Sequence, residues 1–266
     1  MLKKTVKNIF KSFNIEVKRI NSNYVVPNPY YKGIVDNLEY YETPIGNYFL
    51  PTDVSLDIIK ENMQWGNVFE PPVIEVAKKY IKKGSTVLDV GTNFGQMSII
   101  FSKLAGDTGK VYSFDADDFV FEILKKNLKA NNCTNAEPIY GAVYNKDNEI
   151  LIFPKQDFQR FKAYGSYGID PNAKEGREVK SHTIDSLNIQ TPISFMKVDV
   201  QGSDLFALQG AVKTIEKHKM PILFEFEQQF QDEFKTSFQD YVDFTRSINY
   251  SFKEIIMGIN YLIVPN

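Results

Sequence analysis

The chain has 266 residues, which is enough for one large domain or two small ones. Its 31 lysines and arginines nearly balance its 33 aspartates and glutamates, and the net charge of -2 lacks the basic excess typical of nucleic-acid-binding proteins. Cys133 is the single cysteine, which excludes an internal disulfide and a cysteine cluster for zinc, and makes a reducing, cytoplasmic setting our expectation.

The first part of the chain, residues 1–69, is predicted to form an N-terminal helix and a cap region. Residues 1–20 carry apolar side chains at helical spacing with lysines among them, a pattern that predicts a basic amphipathic helix. Such a helix can pack on the domain, pack on a partner subunit of a homo-oligomer, or lie on the anionic inner face of a membrane. Residues 21–55 contain four prolines and predict short extended pieces, with a hairpin through Gly46.

The second part, residues 70–266, alternates between strand-like and helical patterns. A helix is expected to start at Glu70-Pro71-Pro72, because prolines are tolerated in a first helical turn. Strands are expected over 86–91, 110–115, 136–142, 193–200 and 222–227, and helices near 94–105, 117–131, 203–217 and 232–247. Such alternation predicts an α/β fold with a mostly parallel sheet covered by helices on both faces.

Two further apolar runs end the chain, and only Gly258 and its neighbours separate them. A parallel crossover needs about a dozen residues or more, so these runs must form an antiparallel hairpin. Together these elements predict a Rossmann-like, seven-stranded, mostly parallel sheet that closes with a C-terminal antiparallel hairpin.

Two segments between the third and fourth strands interrupt this alternation. The sequence after residue 142 suggests a hairpin with its turn over 145–148. Residues 154–177 then form a long loop in which Gly165 and Gly168 stand among four aromatic residues. Aromatic faces can stack on a sugar ring, so the loop is a candidate lid over an acceptor. The alternative is an insertion packed on the core or at a subunit contact.

The glycine turn over 91–95 is the strongest local signal of a ligand site. An apolar strand that carries Asp89 ends at Gly91, and Gly95 precedes a helix, which is the junction where α/β proteins hold nucleotide-like ligands. A dinucleotide would require glycines in the pattern G-x-G-x-x-G, but Asn93 stands at the second glycine position. Asp115 lies 20 residues after Gly95, where a carboxylate can accept hydrogen bonds from ribose hydroxyls. A ribose without a pyrophosphate indicates S-adenosylmethionine.

Several motifs together resemble the FkbM family of class I S-adenosylmethionine-dependent methyltransferases. The segments are V-L-D-V-G-T-N-F-G, S-F-D-A-D, G-A-V, T-I-D-S-L, F-M-K-V-D-V-Q-G-S-D-L-F-A-L-Q-G-A and P-I-L-F-E-F-E, in that order over residues 70–264. The resemblance implies O-methylation of a sugar, glycan or glycosylated metabolite. One position departs from the family, which commonly has D-V-E-G where this chain has Gln201, and an amide cannot act as a base.

The resemblance also implies a set of cofactor-binding residues. Asp89, Gly91, Asn93 and Gly95 would hold the methionine part, Asp115 the ribose, and Ala116 and Ala142 the adenine. For two of these residues a structural role is the alternative. Asp89 could cap the turn that follows it, and Asp115 could cap the next helix, although Asp117 and Asp118 are equally placed to do so.

The catalytic candidates are Asp199 and His182. A sugar hydroxyl is a poor nucleophile, so a base should take its proton as the new bond forms. Asp199 ends a strand at the functional edge of the sheet and is the first candidate, and His182 is the second. A divalent metal ion that polarises the hydroxyl is the alternative to a base. Two other functions stay open from sequence, a nicotinamide-dependent oxidoreductase on a similar sheet and a non-catalytic module that keeps the fold.

Overall fold

A computed structural model describes residues 27–54, 56–159 and 161–266. The amphipathic helix predicted over 1–20 lies outside these residues, so its packing and its membrane contact stay predictions. Within the described ranges, no helix is both long enough and apolar enough to cross a membrane.

The described part of the cap region begins with a small antiparallel sheet. Its strands β1 (Tyr31–Val35), β2 (Leu38–Glu42) and β3 (Asn47–Pro51) pair in chain order. Glu42 pairs with Asn47, so the hairpin predicted through Gly46 is confirmed. A short helix, α1 (Ile58–Gln64), follows and is capped by the Asp57 carboxylate, which accepts hydrogen bonds from the backbone N–H groups of Ile59 and Lys60.

A seven-stranded sheet forms the centre of the molecule, as the sequence predicts. Its strands are β4 (Thr86–Val90), β5 (Lys110–Asp115), β6 (Ala136–Tyr140), β10 (Ile193–Val198), β11 (Ile222–Glu225), β12 (Tyr250–Ile256) and β13 (Asn260–Pro265). The spatial order is β12-β13-β11-β10-β4-β5-β6, and β13 runs antiparallel to both of its neighbours. The fold class and the C-terminal hairpin are therefore confirmed.

Helices cover both faces of the sheet. They are α2 (Pro71–Tyr80), α3 (Gln96–Ala105), α4 (Asp118–Ala130), α5 (Asp204–Gln209), α6 (Val212–His218), α7 (Gln228–Phe234) and α8 (Phe238–Ser247). Successive strand residues point to opposite faces, so Val87 and Phe195 pack with α2 and α3, while Leu88 and Met196 pack with α5, α6 and α8. This double burial explains why the parallel strands are continuously apolar rather than alternating.

Two predicted helices are each divided in two. The helix expected over 203–217 is interrupted at Gly210, where a Cβ atom would lie 2.0 Å from the carbonyl oxygen of Tyr144. The helix expected over 232–247 is interrupted at Lys235, which has a φ of 54°. Ser237 then starts α8 with a capping box that includes Asp240.

The prediction of a hairpin with its turn over 145–148 is wrong. Strands β7 (Ala142–Val143) and β8 (Ile150–Pro154) do not pair with each other, because β9 (Gly176–His182) lies between them. β7 pairs with β9 in parallel, and β8 pairs with β9 antiparallel. The long loop after β8 brings β9 back, and a sequence pattern cannot show that such a distant strand takes the central position.

The cap sheet and the main domain share one hydrophobic core. Tyr48 and Leu50 of β3 are fully buried against residues of α3 and α4 that include Leu124. The Asn127 side chain joins the two parts, because its Oδ1 accepts from Phe49 N at 2.6 Å and its Nδ2 donates to Phe49 O and Phe94 O. The boundary proposed at residue 69 therefore separates two segments of chain that pack as one body.

Asn127→Ala tests this junction. The substitution leaves the buried backbone groups of Phe49 and Phe94 without their partners, so we expect the free energy of unfolding to fall by about 2–4 kcal/mol. Urea denaturation provides the measurement, with Lys129→Ala on the exposed side of the same helix as the control. Equal stability of the two variants would show that the cap does not depend on this amide.

Candidate functional site

A pocket of about 670 Å³ opens at the carboxyl ends of β4, β5 and β10. The strand order reverses at β4, which lies between β5 and β10, and such a switch point is where open α/β sheets bind ligands. Six of the predicted site residues line the pocket, namely Gly91, Asn93, Asp115, Ala116, Ala142 and Asp199. Asp89, Gly95 and His182 do not line it.

The glycine turn forms one wall of the pocket and can be built only with glycine at its first position. Gly91 has a φ of 82°, and a Cβ atom there would lie 1.8 Å from the carbonyl oxygen of Asp199. Gly95 serves packing instead, since a Cβ atom there would lie 2.5 Å from Leu124 Cδ1. Asn93 has a φ of 52°, a left-handed conformation that asparagine tolerates better than most residues.

Asp89 lies beneath this turn and is fully buried. The Ser98 hydroxyl donates to Asp89 Oδ2, while Asp89 Oδ1 and the buried Thr92 Oγ1 have no hydrogen-bond partner among the described residues. Burial raises the pKa of Asp89 to about 6, although the charge of Lys197 acts in the opposite direction. Unpaired buried oxygens beside a glycine turn suit a ligand that carries polar groups.

Asp115 ends β5 and faces the pocket. Its Oδ2 accepts a hydrogen bond from Asn93 N and its Oδ1 accepts one from Asp117 N, both at 2.9 Å. The helix that follows is capped by Asp117, whose Oδ1 accepts from Phe119 N and Val120 N. Asp115 is therefore not the cap of α4. Burial, together with repulsion from Asp117, raises the pKa of Asp115 to about 7.

Asp199 belongs to a buried network of charged groups at the opposite wall. Its Oδ2 lies 2.8 Å from Lys197 Nζ, and its Oδ1 accepts from Gln201 Nε2 at 3.0 Å. The same Gln201 nitrogen donates to Glu225 Oε2 at 3.1 Å. Burial alone would raise the pKa of Asp199, but Lys197 outweighs it and holds the pKa below the usual range. Burial and the Asp199 charge raise the pKa of Glu225 to about 11, so Glu225 is protonated near neutral pH.

His182 lies on the far side of the turn at Gly141. Its Nε2 is 3.2 Å from the carbonyl oxygen of Tyr140, and a Cβ atom on Gly141 would lie 2.6 Å from its Cδ2. Its ring thus borders the backbone that lines the pocket without facing the pocket itself. Asp185 likewise has a structural role, because it accepts from the backbone N–H groups of Lys213 and Thr214 and so caps α6.

The long loop after β8 covers the pocket, and a distant part of the chain holds it there. Tyr164, Gly165, Tyr167 and Gly168 line the pocket. The Tyr164 N–H donates to Asp57 Oδ2 and its hydroxyl donates to Asp53 Oδ2, both at 2.9 Å. The aromatic and glycine spacing made this loop a candidate lid, and the burial of Tyr164 in the core also fits the alternative of an insertion packed on the core. The neighbouring wall residue Ile59 gave no sequence signal, because it lies on a short helix without a motif.

The structure offers no metal centre among the residues that it describes. No group of three or more histidine, cysteine, aspartate or glutamate side chains gathers there in an arrangement that could hold an ion. Lys197 places a positive charge beside Asp199.

Comparison with known proteins identifies the family. The model of the methyltransferase FkbM domain matches residues 89–252, which is more than half of the chain. The chain belongs to this family. The family is one of methyltransferase domains, so the oxidoreductase alternative is set aside. The family match covers the glycine turn, Asp115 and Asp199 together.

Individual relatives match over shorter segments. The ribosomal protein L11 methyltransferase of Dictyoglomus turgidum is 48% identical over 59 residues, which are 22% of this chain and 19% of that protein. The chain thus spans about a fifth of the length of this relative. The structure of a methyltransferase FkbM from Methylobacillus flagellatus is similar at 15% identity and a TM-score of 0.48, over 72% of this chain and 50% of that chain. An S-adenosylmethionine-dependent O-methyltransferase from Thermotoga maritima is similar at 14% identity and a TM-score of 0.42, over 85% of this chain and 76% of that chain.

Asp115→Ala tests the proposed ribose contact. Loss of a carboxylate that accepts from ribose hydroxyls should weaken the binding of S-adenosylhomocysteine by about 10- to 100-fold. Isothermal titration calorimetry measures the dissociation constant, with the exposed Asp107→Ala as the control. Unchanged affinity in a folded Asp115→Ala protein would refute the assignment.

The raised pKa of Asp115 predicts a pH dependence. Ribose hydroxyls favour the ionised carboxylate, so a proton on Asp115 competes with the ligand below the pKa of about 7. We expect the dissociation constant of S-adenosylhomocysteine to be lowest above pH 7 and to rise by up to about tenfold per pH unit below it. Asp115→Ala should remove this slope between pH 6 and 8, whereas Asp89 titrates only near pH 6. A wild-type curve as flat as that of the variant would contradict the prediction.

Proposed function

We propose that the protein transfers a methyl group from S-adenosylmethionine to a hydroxyl oxygen of a sugar, glycan or glycosylated metabolite. A second pocket of about 500 Å³ carries this proposal. It adjoins the first, because Tyr167, Gly168, Ile169 and Gln201 line both. An acceptor in the second pocket would thus reach the donor pocket at Gln201, beside Asp199.

The lining of the second pocket suits a polyhydroxylated ring. Aromatic side chains come from the lid and from α7, among them Phe161 and Phe230, and aromatic faces pack well on the C–H face of a sugar. Carboxylates surround them, namely Asp157, Asp170 and Glu233, and carboxylates accept hydrogen bonds from hydroxyl groups. These three carboxylates outnumber the one lysine of the described lining, Lys155, and the net negative charge disfavours a phosphate backbone, so we propose a sugar-like acceptor and no nucleic acid.

The donor pocket provides surfaces for each part of the donor. We propose that Asp115 binds the ribose, and that Ala116 and Ala142 contact the adenine together with the apolar side chains of Val143, Phe153 and Ile169. The turn of Gly91 and Asn93 would approach the methionine part, with Gly95 and Asp89 supporting the turn from behind. The unpaired buried oxygens of Asp89 and Thr92 fit a ligand of this polarity.

Asp199 lines the donor pocket beside Gln201, which lines both pockets, and would contact the acceptor hydroxyl there. When bound, S-adenosylmethionine supplies a methyl group on a positively charged sulfur, open to in-line attack by an oxygen. We propose that Asp199 accepts a hydrogen bond from that hydroxyl, orients it, and receives its proton as the carbon–oxygen bond forms and the carbon–sulfur bond breaks. A carboxylate with a lowered pKa is a weak base. It suffices here, because the attacking oxygen becomes a far stronger acid as it is alkylated.

Lys197 and Gln201 fix the orientation of the Asp199 carboxylate. Both Asp199 oxygens already accept a hydrogen bond, one from each residue, and these contacts fix the plane of the carboxylate. Gln201 cannot serve as a base, but its amide can position Asp199 toward the junction of the two pockets. In this proposal the residue that departs from the family pattern has a positioning role.

Methyl transfer to sugars tests the proposal directly. The protein is incubated with S-adenosylmethionine that carries an isotope-labelled methyl group, together with a panel of sugars, glycans and glycosylated metabolites. Mass spectrometry should detect one labelled methyl group on a sugar hydroxyl. Asp199→Asn should lower the turnover by about 100-fold or more, because it removes the proton acceptor.

The exposed Asp232→Asn on α7 is the matched control and should retain activity. Label found on ribosomal protein L11 or on RNA instead of a sugar would refute the proposed acceptor. Full turnover by Asp199→Asn would refute the proposed role of Asp199.

A further inference from the structure

The side-chain amide of Gln201 lies where the two pockets meet, since Gln201 lines both of them. Its Nε2 donates to Asp199 Oδ1 at 3.0 Å and to Glu225 Oε2 at 3.1 Å, which uses both of its N–H groups. Its Oε1 accepts no hydrogen bond from a described residue, and it is accessible, because the buried side-chain atoms that lack a partner belong to other residues. One end of the amide is therefore bound within the protein, and the other end is available to a ligand.

The backbone of Gln201 is held in a strained conformation. Its φ of 51° is left-handed, and strain of this kind in a residue other than glycine is concentrated at ligand sites. The Asp204 carboxylate maintains the turn, because its Oδ1 accepts from Val200 N at 3.3 Å and its Oδ2 accepts from Gly202 N at 3.1 Å. The lid packs on the same turn at Gly168, where a Cβ atom would lie 3.0 Å from Gln201 Cβ. These contacts fix the turn that carries the Gln201 side chain to the junction of the pockets.

Glu225 determines which end of the amide faces the protein. Glu225 is buried, and burial together with the Asp199 charge raises its pKa to about 11, so its carboxyl group is neutral near pH 7. A neutral carboxyl group accepts a hydrogen bond through one oxygen and donates one through the other, and Glu225 is hydrogen-bonded to both Gln201 and Asp199. If the amide were turned around, its oxygen would lie against the Asp199 carboxylate without a donor between them. The amide nitrogen therefore faces Asp199 and Glu225, and the oxygen faces away from them.

The Asp199 carboxylate retains room for one more hydrogen-bond donor. Lys197, Gln201 and Glu225 provide three hydrogen bonds to it, and a carboxylate has about four acceptor sites. Asp199 and the Gln201 amide are hydrogen-bonded to each other, so an accepting oxygen of each lies on neighbouring side chains. Adjacent hydroxyl groups of a sugar ring are likewise neighbours, and each carries one O–H donor. The two side chains together therefore match two adjacent hydroxyl groups.

We propose that Gln201 Oε1 accepts a hydrogen bond from the acceptor hydroxyl next to the one that is methylated, while Asp199 accepts one from the reacting hydroxyl. Glu225 is the positioning residue that keeps the amide oxygen turned toward the acceptor. The inference rests on the proposed function, and it narrows the acceptor class to compounds with two adjacent hydroxyl groups. Glutamine at position 201 accepts from a hydroxyl and donates to Asp199, whereas an ionised glutamate would only accept and would repel Asp199.

Deoxy sugars separate the two hydroxyl groups. The probes are the sugar of the panel that the protein methylates best and its analogues in which hydrogen replaces one of the other hydroxyl groups at a time. With the wild-type protein, an analogue that lacks a hydroxyl adjacent to the methylated position should have a kcat/KM about 10- to 100-fold lower, because the Gln201 oxygen is left without its donor. Analogues that lack a more distant hydroxyl should lose less than that adjacent analogue.

Variants of the two residues complete the test. Gln201→Met should lower kcat/KM for the intact sugar by about 10- to 100-fold and abolish the preference for the intact sugar over the adjacent deoxy analogue. Glu225→Gln keeps a neutral donor and acceptor and should retain that preference, whereas Glu225→Met should lose most of it. Gln239→Met on the exposed side of α8 is the matched control and should retain both turnover and preference. Calorimetry should show wild-type affinity for S-adenosylhomocysteine, within about threefold, in every variant.

Two results would overturn this inference and leave the proposed function intact. One is wild-type turnover of every analogue that lacks an adjacent hydroxyl. The other is an unchanged preference in Gln201→Met, with the intact sugar and the analogue slowed equally, because Gln201 would then only support the site. Transfer to no sugar of the panel would instead reject the proposed function and this inference together. If Glu225→Met does not fold, loss of the preference in Glu225→Gln would still contradict the role of Glu225.

Discussion

The buried ammonium of Lys197 is the interaction on which the reactive edge of the sheet depends. Four carboxyl groups lie around this ammonium, those of Asp89, Asp199, Glu70 and Glu225. Each of them either shifts the pKa of a neighbouring group or has its own pKa shifted by Lys197. Buried carboxylates repel one another and favour protonation, so a single cation decides which of them stays ionised. Asp199 keeps its charge because it bonds Lys197 directly, whereas Glu225 keeps its proton. Asp199 and Glu225 are thus one ionised and one protonated group rather than a pair of equivalent acids.

A second constraint joins this edge to the glycine turn. The carbonyl oxygen of Asp199 lies where the Cβ atom of any other residue at position 91 would be, and Asp199 N donates to Val90 O at 2.9 Å. The backbone that would carry the donor and the backbone that carries Asp199 are consequently held in contact. Substitution of Gly91 would separate these two backbone segments. The glycine is therefore needed for the position of Asp199 as well as for the approach of the donor. Effective transfer depends on such fixed spacing between reacting groups.

The covering of the pocket depends on parts of the chain that are far apart in sequence. Tyr164 joins the lid to Asp53 and Asp57, more than one hundred residues earlier, and Asn127 joins α4 to the cap sheet. The lid rings pack on one another, with Phe158 near both Tyr164 and Tyr167. These contacts make the cap region and the lid one wall of the pocket, to which Ile59 and Tyr164 both contribute.

Local patterns in the sequence were enough to predict several parts of the protein. The alternation of strands and helices, the C-terminal hairpin, the glycine turn and the position of Asp115 follow from periodicity, turn residues and spacing, all of which act over a few residues. Other features became visible only in the folded chain, namely the pairing of β7 and β8 through β9, the place of His182 outside the pocket, and the proximity of Glu70 and Lys197 at one cavity. These features depend on contacts between residues that are distant in the chain. The role of a buried lysine within an apolar strand can be inferred only when its neighbours across the sheet are known.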